Sequence, residues 1–132
     1  MAKMKKILVI EDDRNLVRLL KDAFEGKSYT IGLALDWQEA KTKVEKFAPD
    51  LIILDILLPG ESGFDILRHL KANDATKNIP VIILSNLGQE QEIRTGLELG
   101  AVDYLVKADI SIDQVVAKAK RWLRLKSPAG KK

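Results

Sequence analysis

With 132 residues, 46% of them apolar, and no cysteine, the chain has enough length and apolar content for one compact domain, which excludes disorder, a disulfide framework and a thiolate metal centre. The formal net charge of +3 hides a division: from Lys118 onward there are seven basic residues and no acid, leaving 15 basic against 19 acidic before that point. The basic opening MAKMKK leads into an apolar run that stops at Glu11, too short for a secretory or membrane-spanning segment, so a soluble cytoplasmic protein with no membrane partner is expected.

Taken in chain order, Ile7–Ile10 is a continuous β-branched run of the kind found in strands buried on both faces. Leu16, Leu19, Leu20, Ala23 and Phe24 follow at helical spacing. A weaker strand over Thr30–Leu35 precedes a helical stripe of Trp37, Ala40, Val44 and Phe47, opened by Asp36 with Glu39 three residues later. Leu51–Leu54 is the next buried strand, followed by a helix whose start is marked by Ser62 and Asp65. Val81–Leu84 is a third strong strand. The helix over Glu90–Leu99 is the weakest, with Gly96 inside it and an apolar face resting on Ile93 and Leu97, so it is expected to be held by packing and able to shift. Asp103–Val106 is a weaker strand. Ser111 and Gln114 open a last helix with Ile112, Val115, Val116, Ala119, Trp122 and Leu123 on one face. A short tail, residues 127–132, is expected after it, with Pro128 and Gly130 ending the helix. Five strand–helix units in strict alternation predict one α/β domain over residues 1–126, a parallel sheet with helices on both faces. The basic end reads as a solvated helix face, and direct nucleic-acid binding is not expected from it.

Open parallel sheets collect chemistry beyond the carboxyl ends of their strands. Here the first strand runs into Glu11, Asp12 and Asp13, the third into Asp55, the fourth ends at Ser85 and the fifth at Lys107. Hard oxygen ligands of this kind suit Mg²⁺, which keeps several waters and binds beside a phosphate. Asp55 next to such an ion could act as a carboxylate nucleophile toward phosphorus, with Lys107 as a second positive charge and the Ser85 hydroxyl as a donor. Singly, each residue has a plainer explanation: Asp12, Asp13 or Ser85 as a helix cap, and Lys107 as a turn lysine. Asp13 is read as a cap. Asp55 interrupts an apolar run and is the hardest to explain as packing. His69, alone on a helix, reads as an ordinary surface residue.

The segments Lys6–Asp13, Asp55–Gly60 with Gly63, Pro80–Ser85 and Gly100–Lys107 together resemble the receiver domain of two-component response regulators, over Lys5 to Leu125. The resemblance implies a flavodoxin-like, doubly wound sheet of order 2-1-3-4-5 with five helices. It implies a stand-alone receiver that takes a phosphoryl group on Asp55 from a histidine kinase or histidine phosphotransfer protein. Mg²⁺, or Mn²⁺, would be held by Asp12, Asp55 and the Leu57 backbone carbonyl, with Glu11 acting through water. Ser85 and Tyr104 would be the switch pair, the ring of Tyr104 turning inward as Ser85 moves toward the phosphoryl group. The surface of helix 4, strand 5 and helix 5 would then signal to a downstream protein or a second copy.

Three departures from the family pattern carry expectations of their own. Ala108 follows Lys107 where the family has proline after a cis bond, so a trans bond and an altered loop are expected. Asn86 replaces a small residue, tightening the pocket or adding a donor. Leu57 and Leu87 stand where polar groups often flank the attacking water, so a long-lived acyl phosphate is expected. Three other functions share these features: an inert receiver-like binding module, a phosphatase working through an aspartyl intermediate, and a DNA-binding regulator. Leu57 supplies no general acid two residues after Asp55, which weighs against the phosphatase.

Overall fold

In the computed structural model, residues 4–24 and 28–126 are described. Five strands, β1 (Lys5–Ile10), β2 (Tyr29–Ala34), β3 (Leu51–Leu54), β4 (Val81–Ser85) and β5 (Asp103–Val106), alternate with α1 (Arg14–Ala23), α2 (Trp37–Phe47), α3 (Gly63–Ala72), α4 (Glu90–Glu98) and α5 (Ile112–Lys126). The strands form one parallel sheet in the order β2-β1-β3-β4-β5. The expected doubly wound topology is the observed one. The expected tail, residues 127–132, with Pro128, Gly130 and the basic Lys131 and Lys132, lies outside the described residues, as do the first three positions.

Alternation along the strands divides the core between the two faces of the sheet. Leu8, Ile10, Ile52, Leu54, Val81 and Ile83 pack under α2, α3 and α4 through Ala40, Ile66, Leu67, Leu70 and Ile93. Ile7, Val9, Leu51, Ile53, Ile82 and Leu84 pack under α1 and α5 through Val17, Leu20, Phe24, Val115, Val116, Ala119 and Leu123. Because β1, β3 and β4 are covered on both sides, their register is fixed, and so is the position of every residue that follows them.

Two expected faces are corrected. On α1 the buried stripe is Val17, Leu20 and Phe24, while Leu19 is 52% exposed. Leucines at 16, 19 and 20 beside Val17 are compatible with either of two faces, and packing against α5 selects one. On α4, Leu97 is 45% exposed and the residue turned inward is Gly96. A Cβ at Gly96 would lie 2.6 Å from Ile83 Cδ1 and 2.9 Å from Tyr104 Cδ2, so the missing side chain is what lets α4 sit down on β4 and β5.

The helix starts follow the expected polar signals with variations. At α5 the reciprocal box is complete: Gln114 N donates to Ser111 Oγ at 3.1 Å and Ser111 N to Gln114 Oε1 at 2.8 Å. At α2, Glu39 N donates to Asp36 Oδ1 at 2.9 Å, but Glu39 itself accepts from Leu35 N, one residue earlier. At α3, Ser62 Oγ accepts from Phe64 N at 3.1 Å while Asp65 pairs with Arg68 instead. Among the described residues no helix is long and apolar enough to cross a membrane.

Candidate phosphoryl and metal site

The site lies at the carboxyl edge of β1, β3, β4 and β5. Main-chain bonds continue the ladder one step past the strands: Glu11 N donates to Ala34 O at 2.9 Å and Asp55 N to Ile10 O at 3.0 Å. Glu11 and Asp55 are therefore held by sheet geometry rather than by loops. Carboxylate oxygens of Glu11, Asp12 and Asp55 all come within 4.8 Å of one another. Glu11 and Asp55 are buried and Asp12 is exposed at the mouth. Asp13 stands apart as the α1 cap, its Oδ1 accepting from Asn15 N and Leu16 N, as expected.

Lys107 reaches the acids from β5. Its ammonium donates to Asp55 Oδ2 at 2.9 Å and lies 2.9 Å from Glu11 Oε1, a bridge between two buried carboxylates. The backbone route differs from the family pattern as expected: there is no cis peptide among the described residues, and Lys107–Asp109 form a 3₁₀ turn. With Ala108 after it, Lys107 reaches both acids.

Glu11 and Lys107 are shifted by their surroundings. Burial pushes Glu11 up to about 7, with the Asp55 charge adding to the rise and the Lys107 and Asp13 hydrogen bonds opposing it. For Lys107, burial favours the neutral amine, but hydrogen bonds and charges from Asp55 and Glu11 outweigh it and raise its pKa. The pair thus keeps the proton on Lys107, while Glu11 holds its own proton to higher pH than an ordinary glutamate. Three hard oxygen donors with this excess of negative charge fit a small divalent cation. The second Asp55 oxygen, Oδ1, accepts from Leu57 N at 3.0 Å, which fixes the carboxylate plane.

Ser85 is fully buried, and the cap role considered for it does not apply, since α4 begins only at Glu90. Its Oγ accepts from Leu87 N at 3.3 Å, leaving the hydroxyl proton free to donate elsewhere. The Leu87 carbonyl accepts from the Tyr104 hydroxyl. Ser85 and Tyr104 thus meet on the two ends of one residue, a link that hydrophobic patterning gives no sign of. The Tyr104 ring sits inward and 9% exposed, under Gly96, and burial followed by the charges of Glu92 and Asp55 pushes its phenol up to about 12. Asn86 is exposed beside the pocket, Leu57 is 52% exposed at its mouth, and Leu87 is half-buried.

A slot of about 210 Å³ opens next to the site between α1 and α5, lined by Asp13, Leu16, Leu19, Lys107, Ile110 and Val115, which places the exposed Leu19 on its rim. A larger groove of about 1010 Å³ runs between α2 and α3, away from the acidic edge. His69 borders that groove as an exposed residue, in keeping with the sequence reading, and it also stacks on Trp37 and bonds to Glu61. Side chains separated by 8 and 32 positions leave no periodic signal that would reveal this.

The family model for the response regulator receiver domain matches residues 7–120. The phosphate regulon transcriptional regulatory protein PhoB of Rhizobium meliloti (strain 1021) is 37% identical over 123 residues, covering 93% of this chain and 54% of that protein. The DNA-binding dual master transcriptional regulator RpaA of Synechocystis is 34% identical over 121 residues, 92% of this chain and 50% of that protein. The chain therefore spans about half the length of these curated relatives. Among solved structures, a putative response regulator from Chloroflexus aurantiacus superposes with a TM-score of 0.84 at 30% identity, covering 92% of this chain and 99% of that one. A two-component response regulator from Clostridium difficile gives 0.85 at 30% identity, with 94% and 99% covered. On the family match, the sheet order and the acidic edge together, the chain belongs to the response regulator receiver domain family.

Proposed function

We propose that residues 1–126 form a phosphoacceptor switch in which Asp55 receives a phosphoryl group from a histidine kinase or histidine phosphotransfer protein of the cytoplasm. The observation that carries this reading is the convergence on Asp55 of two acids and a lysine, with the buried Ser85 ending the strand next to it. A bond forms between an Asp55 carboxylate oxygen and phosphorus as the donor's P–N bond breaks, and the electron pair leaves with the imidazole, which is reprotonated from solvent. Lys107 and the Ser85 hydroxyl meet the charge on the phosphoryl oxygens. Asp12, Asp55 and the Leu57 carbonyl would hold Mg²⁺ (or Mn²⁺), with Glu11 behind a water. The ion would neutralise charge on the transferring group.

Output is proposed through α4, β5 and α5, toward a downstream protein or a second copy. The phosphoryl group draws the Ser85 hydroxyl away from Leu87, and the Tyr104–Leu87 bond carries the change in the β4–α4 loop to α4. PhoB and RpaA are named as transcriptional regulators; DNA contact is not part of the function proposed for this domain. The chain assists its own phosphorylation and dephosphorylation without turning over a substrate as an enzyme does.

Incubation with acetyl phosphate and Mg²⁺ should add one phosphoryl group to the intact mass, and excess chelator should prevent it. No mass gain with Mg²⁺ present would favour the inert receiver-like module. Leu57 and Leu87 offer no hydrogen bond to an attacking water, so the acyl phosphate is expected to persist. Loss of label as fast as in quickly resetting receivers would contradict that.

Glu11 sets a pH dependence. Its pKa in the folded chain, about 7, lies above the ordinary 4.5, so its effect on stability is most favourable below the ordinary value and is lost as pH rises from about 4.5 to about 7. Cation binding needs the unprotonated carboxylate, so Mg²⁺ affinity should rise over the upper part of the same window. Titration calorimetry at a series of pH values checks this; affinity that falls with rising pH would refute it.

A further inference from the structure

We infer that Glu61, His69 and Trp37 form an outer brace that holds the loop after Asp55 in its cation-binding shape. The inference rests on the proposal that the Leu57 carbonyl is a metal ligand. The loop runs from Leu57 to Ser62 between two fixed ends. Ile56 is buried in the core, and Gly63 N donates to Ile56 O at 2.9 Å. A Cβ at Gly63 would come within 2.4 Å of Asp55 O, so the loop closes directly onto the backbone of the phosphoacceptor. At the far end of the loop, the chain turns at Gly60 with φ +85°.

Ser62 spends its hydroxyl on the α3 cap, and Glu61 is the neighbour that ties the loop to the body of α3. Its Oε2 lies 2.8 Å from His69 Nε2, nearly two helical turns along from Gly63. A carboxylate acceptor requires the proton on Nε2, so the contact also selects how the imidazole is protonated. His69 is in turn held flat on the Trp37 indole, ring centroids 5.1 Å apart at 10° between planes. The chain of contacts runs from the start of α2, across α3, to the loop. None of these residues touches the acidic cluster, so they act as positioning residues.

A brace and a simple long-range charge effect make opposite statements about His69. Removing the Glu61 charge weakens cation binding on either account. Removing His69 would strengthen it or leave it unchanged if only charge mattered, and should weaken it if the loop is released. The test is Mg²⁺ titration calorimetry on the wild type, Glu61→Gln, His69→Ala and the double variant, with thermal unfolding as a check on folding. Glu61 and His69 side chains are 32% and 52% exposed, so the variants should fold. Each single variant should bind Mg²⁺ about two- to five-fold more weakly, the range of one exposed ion pair, and the double variant no more weakly than the singles. Trp37→Phe, which keeps a stacking ring, should bind as the wild type does. Unchanged affinity in His69→Ala, or additive losses in the double variant, would overturn the brace. Failure of the wild type itself to bind Mg²⁺ would instead overturn the metal-site reading on which it rests.

Discussion

Lys107→Ala is expected to slow phosphorylation of Asp55 by about two to three orders of magnitude, the usual loss when one preorganised charge at a transferring group is removed. Among the described residues the lysine is the one cation in contact with both buried acids, 2.9 Å from each. Without it, Glu11 and Asp55 face each other across a site where burial already pushes Glu11 up to about 7. Glu11 should then hold its proton to higher pH. The variant should lose about 3 kcal/mol of stability above the range in which Glu11 titrates, and less below it, where protonation removes the repulsion. Rates with acetyl phosphate, together with denaturant unfolding on both sides of neutrality, check both halves. Near-normal labelling in Lys107→Ala would show that the ammonium is a structural counter-ion only.

Gly63→Ala should destabilise the fold by about 3 kcal/mol or more. The new Cβ would sit 2.4 Å from Asp55 O and 2.5 Å from Ile56 Cα. Both are backbone atoms at the end of a strand covered on two faces, so neither can give way. Gly60 is the control. It has positive φ, +85°, but nothing within 4 Å, so Gly60→Ala should cost only about 1–2 kcal/mol from the left-handed conformation. Denaturant midpoints separate the two. Equal losses would mean that backbone conformation, and not the contact with the Asp55 peptide, is what residue 63 supplies.

The fold was largely legible because its strongest signals are continuous. Runs such as Leu51–Leu54 and Val81–Leu84 admit only a doubly covered strand, and once the alternation is counted, the strand ends bring Glu11, Asp55, Ser85 and Lys107 to one edge. What sequence left undetermined falls into two kinds. One is the choice between nearly equivalent faces: Leu19 and Leu97 fit a helical stripe as well as Val17 does, and only the neighbouring helix decides. Gly96 is the sharper case, since a residue read as weakening α4 is the contact that seats it on Tyr104. The other kind is pairing between side chains far apart in the chain. The Glu11–Lys107 bridge, the Tyr104–Leu87 bond and the Trp37–His69–Glu61 contacts have no periodicity to betray them.

The most direct measurement is a side-by-side phosphotransfer assay on the wild type and Asp55→Asn with a labelled donor and Mg²⁺. Asparagine keeps the shape of the side chain and removes the nucleophilic charge. Label released by alkali or hydroxylamine, as an acyl phosphate requires, should appear on the wild type and be absent from the variant. Equal labelling of both proteins would place the acceptor elsewhere and contradict the role given to Asp55.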